Sequence, residues 1–221
     1  TDTVINMTNH SYFNLNGDPS KEGFDQIMYV NADKFTPSDK LYIPTGEIKD
    51  VTGTPMDFRT PTEIGKKVDY NFEQIKNATG YDHNWCLNTY KNGKGDDKTV
   101  CASLYSPKSG ILLEVFTNEP GIQVYTGNFQ GTGIACKHGI KYPKHVSVCL
   151  ESQKYPDSPN KPNWPSPYLK PGEKYEPILK PQNNYPEVTP YSVGMGVLMA
   201  VIFSAAAAYL GLKVGQVFEA A

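Results

Sequence analysis

The sequence predicts an all-β body followed by one hydrophobic helix. Three observations carry this expectation. Short alternations of apolar and polar residues recur between Gly- and Pro-containing turns. Aromatic residues make up 12% of the chain, with 15 Tyr and 9 Phe, a composition suited to strands and to carbohydrate-facing surfaces. Before residue 190, no apolar pattern of helical period persists for a dozen residues.

The elements follow in order. Between residues 3 and 12, Val4, Asn6, Thr8 and His10 alternate with Ile5, Met7 and Asn9, the two-residue period of a strand. Asn16-Gly17-Asp18-Pro19 closes that segment as a turn. Residues 26–30 read as a second strand, and Gly53-Thr54-Pro55 breaks the chain again. Residues 61–67 fit a single helical turn, with Thr60 as its cap and Glu63 at the third helical position. Residues 81–87 are strand-like, and Asn92-Gly93-Lys94-Gly95-Asp96 reads as a tight connection. Residues 100–104, 111–117, 122–126 and 146–151 complete the expected strands.

The end of the chain differs. Ten of the 36 residues at 155–190 are proline, which favours extended or irregular chain. Of the 34 residues at 188–221, 23 are apolar, and 188–212 carry no charge. That length suffices to cross a bilayer as a helix, with a buried helix as the alternative.

Composition excludes several functions. Lys plus Arg total 21 and Asp plus Glu 23, a net charge of −2, so no nucleic-acid partner is expected. Cys86, Cys101, Cys136 and Cys149 form no CxxC pair and no zinc spacing, and Cys86, Cys101 and Cys149, in apolar strand-like runs, read as buried free thiols. No P-loop, dinucleotide fingerprint, HExxH or nucleophile elbow is present, and His10, His83, His138 and His145 show no metal-ligand spacing. What remains are polar groups in aromatic, strand-like surroundings: His10, Asp82 with His83, Gln123, and Glu151 at a strand end. On residue type alone, these make only a weak acid–base signal.

Six motifs sharpen it. NHSYFNL at 9–15, IPTGEI at 43–48, GTPMDFR at 53–59, GYDHNW at 80–85, EPGIQVYTGNF at 119–129 and CLESQKYPDSPN at 149–160 resemble, in order, those of the galactose mutarotase (aldose 1-epimerase) family. The resemblance implies a mutarotase-like β-sandwich that interconverts the α and β anomers of aldohexoses such as galactose and glucose, without a metal or organic cofactor. It implies that Glu151 is the general base at the sugar's C1 hydroxyl and His10 the general acid at the ring oxygen. Asp82 and Gln123 would hydrogen-bond the ring hydroxyls. Trp85 and Tyr125 are expected mainly in the core, His83 in a structural or outer-pocket role, and His138 and His145 in loop or surface positions.

The resemblance also implies a gap. A complete member carries a large N-terminal portion with a sugar-binding Arg and a second active-site His. Here Arg59 is the only arginine, and it belongs to GTPMDFR. The sandwich is therefore expected to be incomplete over 1–175 and its activity impaired, an inactive carbohydrate-binding sandwich being the alternative. A monomer is expected where the sandwich is complete. Residues 175–221 resemble the N-terminus of the oligopeptide transporter family, which implies a chimera joined near LKPGEKY at 169–175, the alternatives being a real fusion, a truncation with read-through, or a fragment of an oligopeptide membrane transporter. The expected organisation is a partial sandwich at 1–175, a Pro-rich junction at 176–187 and a transmembrane-like helix with its flank at 188–221. A cytoplasmic epimerase part and a tail that contacts a membrane through 188–212 follow from that reading.

Overall fold

The structure is a computed structural model that describes residues 2–173. The expected junction at 176–187 and hydrophobic helix at 188–221 lie outside the described residues. In chain order the strands are β1 (Thr3–Val4), β2 (Ile27–Val30), β3 (Lys34–Thr36), β4 (Lys49–Asp50), β5 (Thr62–Glu63), β6 (Asp82–Cys86), β7 (Tyr90–Lys91), β8 (Lys94–Gly95), β9 (Ala102–Tyr105), β10 (Leu112–Val115), β11 (Gly121–Tyr125), β12 (Cys149–Gln153) and β13 (Tyr168–Leu169). Two short helices, α1 (Ile64–Lys67) and α2 (Glu73–Ala78), interrupt them.

Two antiparallel sheets form the body, one in the order β10–β9–β2–β5 and one in the order β12–β11–β6–β3–β4. Their facing sides share a single apolar cluster. Met28, Val30 and Leu104 come from the first sheet, and Phe35, Trp85, Ile122, Val124 and Leu150 from the second. Burying one such aliphatic side chain stabilises the fold by roughly 1.5–3 kcal/mol. Trp85 is fully buried, and its Nε1 donates to the Met56 carbonyl at 2.9 Å, so the indole loses no hydrogen bond on burial. This confirms the all-β expectation of several antiparallel sheets with little helix.

Local chemistry explains the matches and the misses. β7 and β8 are joined through Asn92 (φ 52°) and Gly93 (φ 77°), the two positive φ values of a type I′ hairpin. The expected strand at residues 3–12 is instead paired only at Thr3–Val4, against β13. Residues 6–12 are exposed, and alternation without a neighbouring ladder does not make a strand. The helical turn expected over 61–67 begins only at Ile64, because Thr62 and Glu63 pair with β2 instead. Thr60 caps nothing, and its carbonyl accepts from the Thr62 hydroxyl. At six residues, α2 is too short to show a helical period in the sequence.

The expectation of a membrane-associating tail is corrected only as far as the described residues reach, and these do not include 188–212. Among the described residues, no helix is long and apolar enough to cross a membrane.

Candidate active site

Strand alternation gives the five-stranded sheet a second, polar face. With Trp85, Ile122, Val124 and Leu150 committed to the core, their neighbours in β6, β11 and β12 point the other way. Asp82, Asn84 and Cys86 thus share a face with Gly121, Gln123 and Tyr125, and with Cys149, Glu151 and Gln153. The register sets the rows: Gln123 lies opposite both Glu151 and Asn84, and Tyr125 opposite both Asp82 and Cys149.

Hydrogen bonds fix the polar groups on this face. Gln123 Nε2 donates to Asp82 Oδ1 at 2.8 Å. Gln153 Nε2 donates to Gln123 Oε1 at 3.2 Å and reaches Asn84 Oδ1 at 3.5 Å. The amide of Gln123 therefore has one orientation, with its NH₂ toward Asp82 and its oxygen toward Gln153. Gly121 makes this possible, since it lies opposite Gln153 and a Cβ there would stand 2.3 Å from Asn84 Oδ1. Gln153 is accordingly a positioning residue. If the site binds a sugar through Gln123, Gln153→Met is expected to raise KM about 2- to 10-fold, the worth of one neutral hydrogen bond, with kcat nearly unchanged. Steady-state kinetics separate the two parameters, and an equal fall in kcat without a change in KM would count against this role.

His10 arrives from the exposed N-terminal segment. Its Nε2 lies 3.5 Å from Glu151 Oε1, with the imidazole half-exposed and the carboxylate nearly buried. The ring is flanked by Tyr12, with centroids 5.0 Å apart, and by Tyr125 at 6.2 Å, edge-on. Burial pushes the Glu151 carboxyl above its ordinary value; the His10 charge opposes this and the Asp82 charge adds to it. Burial raises Asp82 as well, while the Gln123 hydrogen bond and His10 pull it down. Cys149 is pushed up to about 12 by burial and by the two carboxylates. A cavity of about 110 Å³ adjoins Asp82 and Gln123, with Thr36, Tyr42 and Asn84 also in its wall.

The structure brings His10, Glu151, Asp82 and Gln123 together. It adds Tyr12, Asn84, Cys149 and Gln153, each two residues from a candidate already named. The two-residue period of the strands accounts for three of them. Trp85 lies in the core as expected, whereas Tyr125 turns onto the polar face. His83 is buried on the core side, edge-on to Phe35. His145 lies in a loop, one of its two expected positions, but is buried rather than at the surface: it stacks on Phe24 at 4.4 Å, with Nδ1 3.1 Å from the Thr126 carbonyl. Arg59 stays outside the site and pairs with Asp57 at 2.8 Å and Asp33 at 3.1 Å. Of the thiols expected to be free and buried, Cys101 and Cys149 are so, whereas Cys86 is free but only partly buried; Cys136 is free and exposed.

Residues 1–180 match the family model described as aldose 1-epimerase. The chain belongs to the aldose 1-epimerase family. Galactose mutarotase of Bos taurus is 45% identical over 174 residues, covering 79% of this chain and 48% of that protein. Aldose 1-epimerase of Escherichia coli (strain K12) is 38% identical over 180 residues, covering 80% and 50%. The crystal structure of an aldose epimerase homologue from C. elegans aligns with a TM-score of 0.65 at 29% identity, over 79% of this chain and 50% of that one. This epimerase-family chain thus spans about half the length of the curated relatives it matches. The family match runs through residue 180, past the expected join at 169–175, and nothing in the comparisons supports an oligopeptide-transporter resemblance or a chimera.

Proposed function

We propose that the polar face performs aldose 1-epimerase chemistry, interconverting the α and β anomers of an aldohexose such as galactose or glucose. The observation that supports this most is the pairing of one imidazole with one nearly buried carboxylate, His10 Nε2 to Glu151 Oε1 at 3.5 Å, beside the fixed row of Asp82 and Gln123. Anomer exchange requires proton removal at the C1 hydroxyl and proton donation at the ring oxygen, two oxygens carried by the same carbon. Glu151 takes the hydroxyl proton, its electron pair forms the carbonyl, and the bond from C1 to the ring oxygen breaks. His10 donates its proton to that oxygen. The aldehyde then turns about the adjacent C–C bond and the ring closes on the other face, with each group reversing its role. Asp82 accepts from ring hydroxyls and the Gln123 amide donates beside it, so the sugar is held while its C1 end turns.

The test is polarimetry of freshly dissolved α-galactose with the purified chain. Equilibration faster than in buffer alone is the expected result. Sugar binding without acceleration would favour a carbohydrate-binding role over an enzymatic one.

A further inference from the structure

We propose that His10, Cys149 and Glu151 together bind a thiophilic divalent cation of the zinc and cadmium class, and that the bound cation blocks the acid–base pair. One imidazole nitrogen, one sulfur and one carboxylate oxygen lie within 4.8 Å of one another. Zinc takes nitrogen and oxygen at about 2.0–2.2 Å and sulfur at about 2.3 Å in a tetrahedron, which places neighbouring donors roughly 3.3–3.8 Å apart. The separation of His10 Nε2 from Glu151 Oε1, 3.5 Å, already fits such an edge. Cys149 and Glu151 are fixed two residues apart on one face of β12. His10 sits on an exposed segment, so it closes on a cation without disturbing the core. Solvent at the half-exposed imidazole supplies a fourth ligand.

The donor set also determines which cations bind. A mixed N, S, O set favours borderline and soft metals, whereas Mg²⁺ and Ca²⁺ require oxygen ligands. On binding, the Cys149 S–H bond breaks and its proton passes to the buffer. The sulfur lone pair forms the metal bond, and no oxidation state changes. Glu151 and His10 then spend on the metal the lone pairs that proton transfer requires. This blocking step rests on the catalytic reading above; the binding itself does not.

Titration with Cd²⁺, followed by the ultraviolet charge-transfer absorption of the sulfur–cadmium bond, tests the site directly. Saturation at one equivalent per chain is expected, unchanged in Cys136→Ser and lost in Cys149→Ser. Zinc affinity, read by competition with a chromophoric chelator, is expected to fall at least about 10- to 100-fold in Cys149→Ser. His10→Ala, on the exposed segment, is expected to weaken it similarly and gives a second reading should Cys149→Ser fail to fold. A full-strength band in Cys149→Ser, or none in the unmodified chain, would overturn the site. Zinc is further expected to stop anomer exchange in the unmodified chain, and a chelator to restore it. Binding with exchange undisturbed would overturn the blocking step. Absence of exchange before any metal is added would instead count against the catalytic reading, leaving the cadmium titration to decide the site.

Discussion

Glu151→Gln is expected to lower kcat for anomer exchange by about 10²- to 10⁴-fold, the usual contribution of a positioned general base. Gln keeps the volume and one acceptor oxygen, so the contacts across to Gln123 and the packing of β12 survive. What it loses is the lone pair that accepts the C1 hydroxyl proton. KM should therefore change little, since the ring hydroxyls are held by Asp82 and Gln123 rather than by Glu151. His10→Asn removes the other half of the exchange and is expected to fall in the same range. If the two act as one proton-transfer unit, the double variant should be scarcely slower than the worse single variant. Multiplicative losses would mean that the groups work independently. An unchanged kcat in Glu151→Gln would remove the carboxylate from the mechanism. Polarimetric rates at saturating sugar distinguish these results, with far-ultraviolet circular dichroism confirming the fold of each variant.

The sequence and the structure agree where the physics is local. The Asn92-Gly93 turn is legible because only a few residue types accept two successive positive φ values. The strands β2 and β9 announce themselves because one side of each is buried and the other is not, which imposes the two-residue period. By contrast, β6, β11 and β12 bury polar side chains on their second face as well, so that residue type rather than exposure carries their alternation. At residues 3–12 the period is equally clear, yet the chain there is mostly exposed and pairs only at its start. A sequence pattern records which way side chains alternate, not whether another strand lies alongside.

The candidate site divides in the same way. Glu151, His10, Asp82 and Gln123 were legible through motifs that resemble the family, not through spacing, for they lie on four separate segments. Gln153 was not legible, because its importance depends on Gly121 in the neighbouring strand, which leaves room for an amide to cross. The same holds for Cys149, which reads as a buried thiol until β12 is seen to place it on the face of Glu151. The burial of His145 is not legible in its loop-like stretch, because its imidazole is held by Phe24 and Thr126, both remote in sequence.

Acid should destabilise the fold through His83. Burial alone pushes its imidazole down to about 4 from an ordinary value of 6.5. Its Nδ1 accepts the backbone N–H of Asp82 at 3.1 Å, and so has no room for a proton of its own. Its Nε2 is buried with no hydrogen-bond partner among the described residues. A charge on this ring would be desolvated and unpaired. Between those two pKa values the unfolded chain binds a proton that the folded chain refuses, so stability falls as pH falls. Above about 6.5 the full stability is present, and by about 4 the loss is complete, about 3 kcal/mol in all. The raised carboxyls of Asp82 and Glu151 act in the opposite sense in acid, so the His83 contribution must be read as a difference. Urea midpoints of the unmodified chain and of His83→Leu, compared from about pH 7 to about pH 4, isolate it. The gap between them should change steadily in favour of the leucine variant as the pH drops, and stay flat above neutrality. Parallel curves would sink the assignment. Because β6 carries His83 toward the core and Asp82 toward the polar face, protonation that expels the one also displaces the other, and sugar affinity should be lost together with the fold.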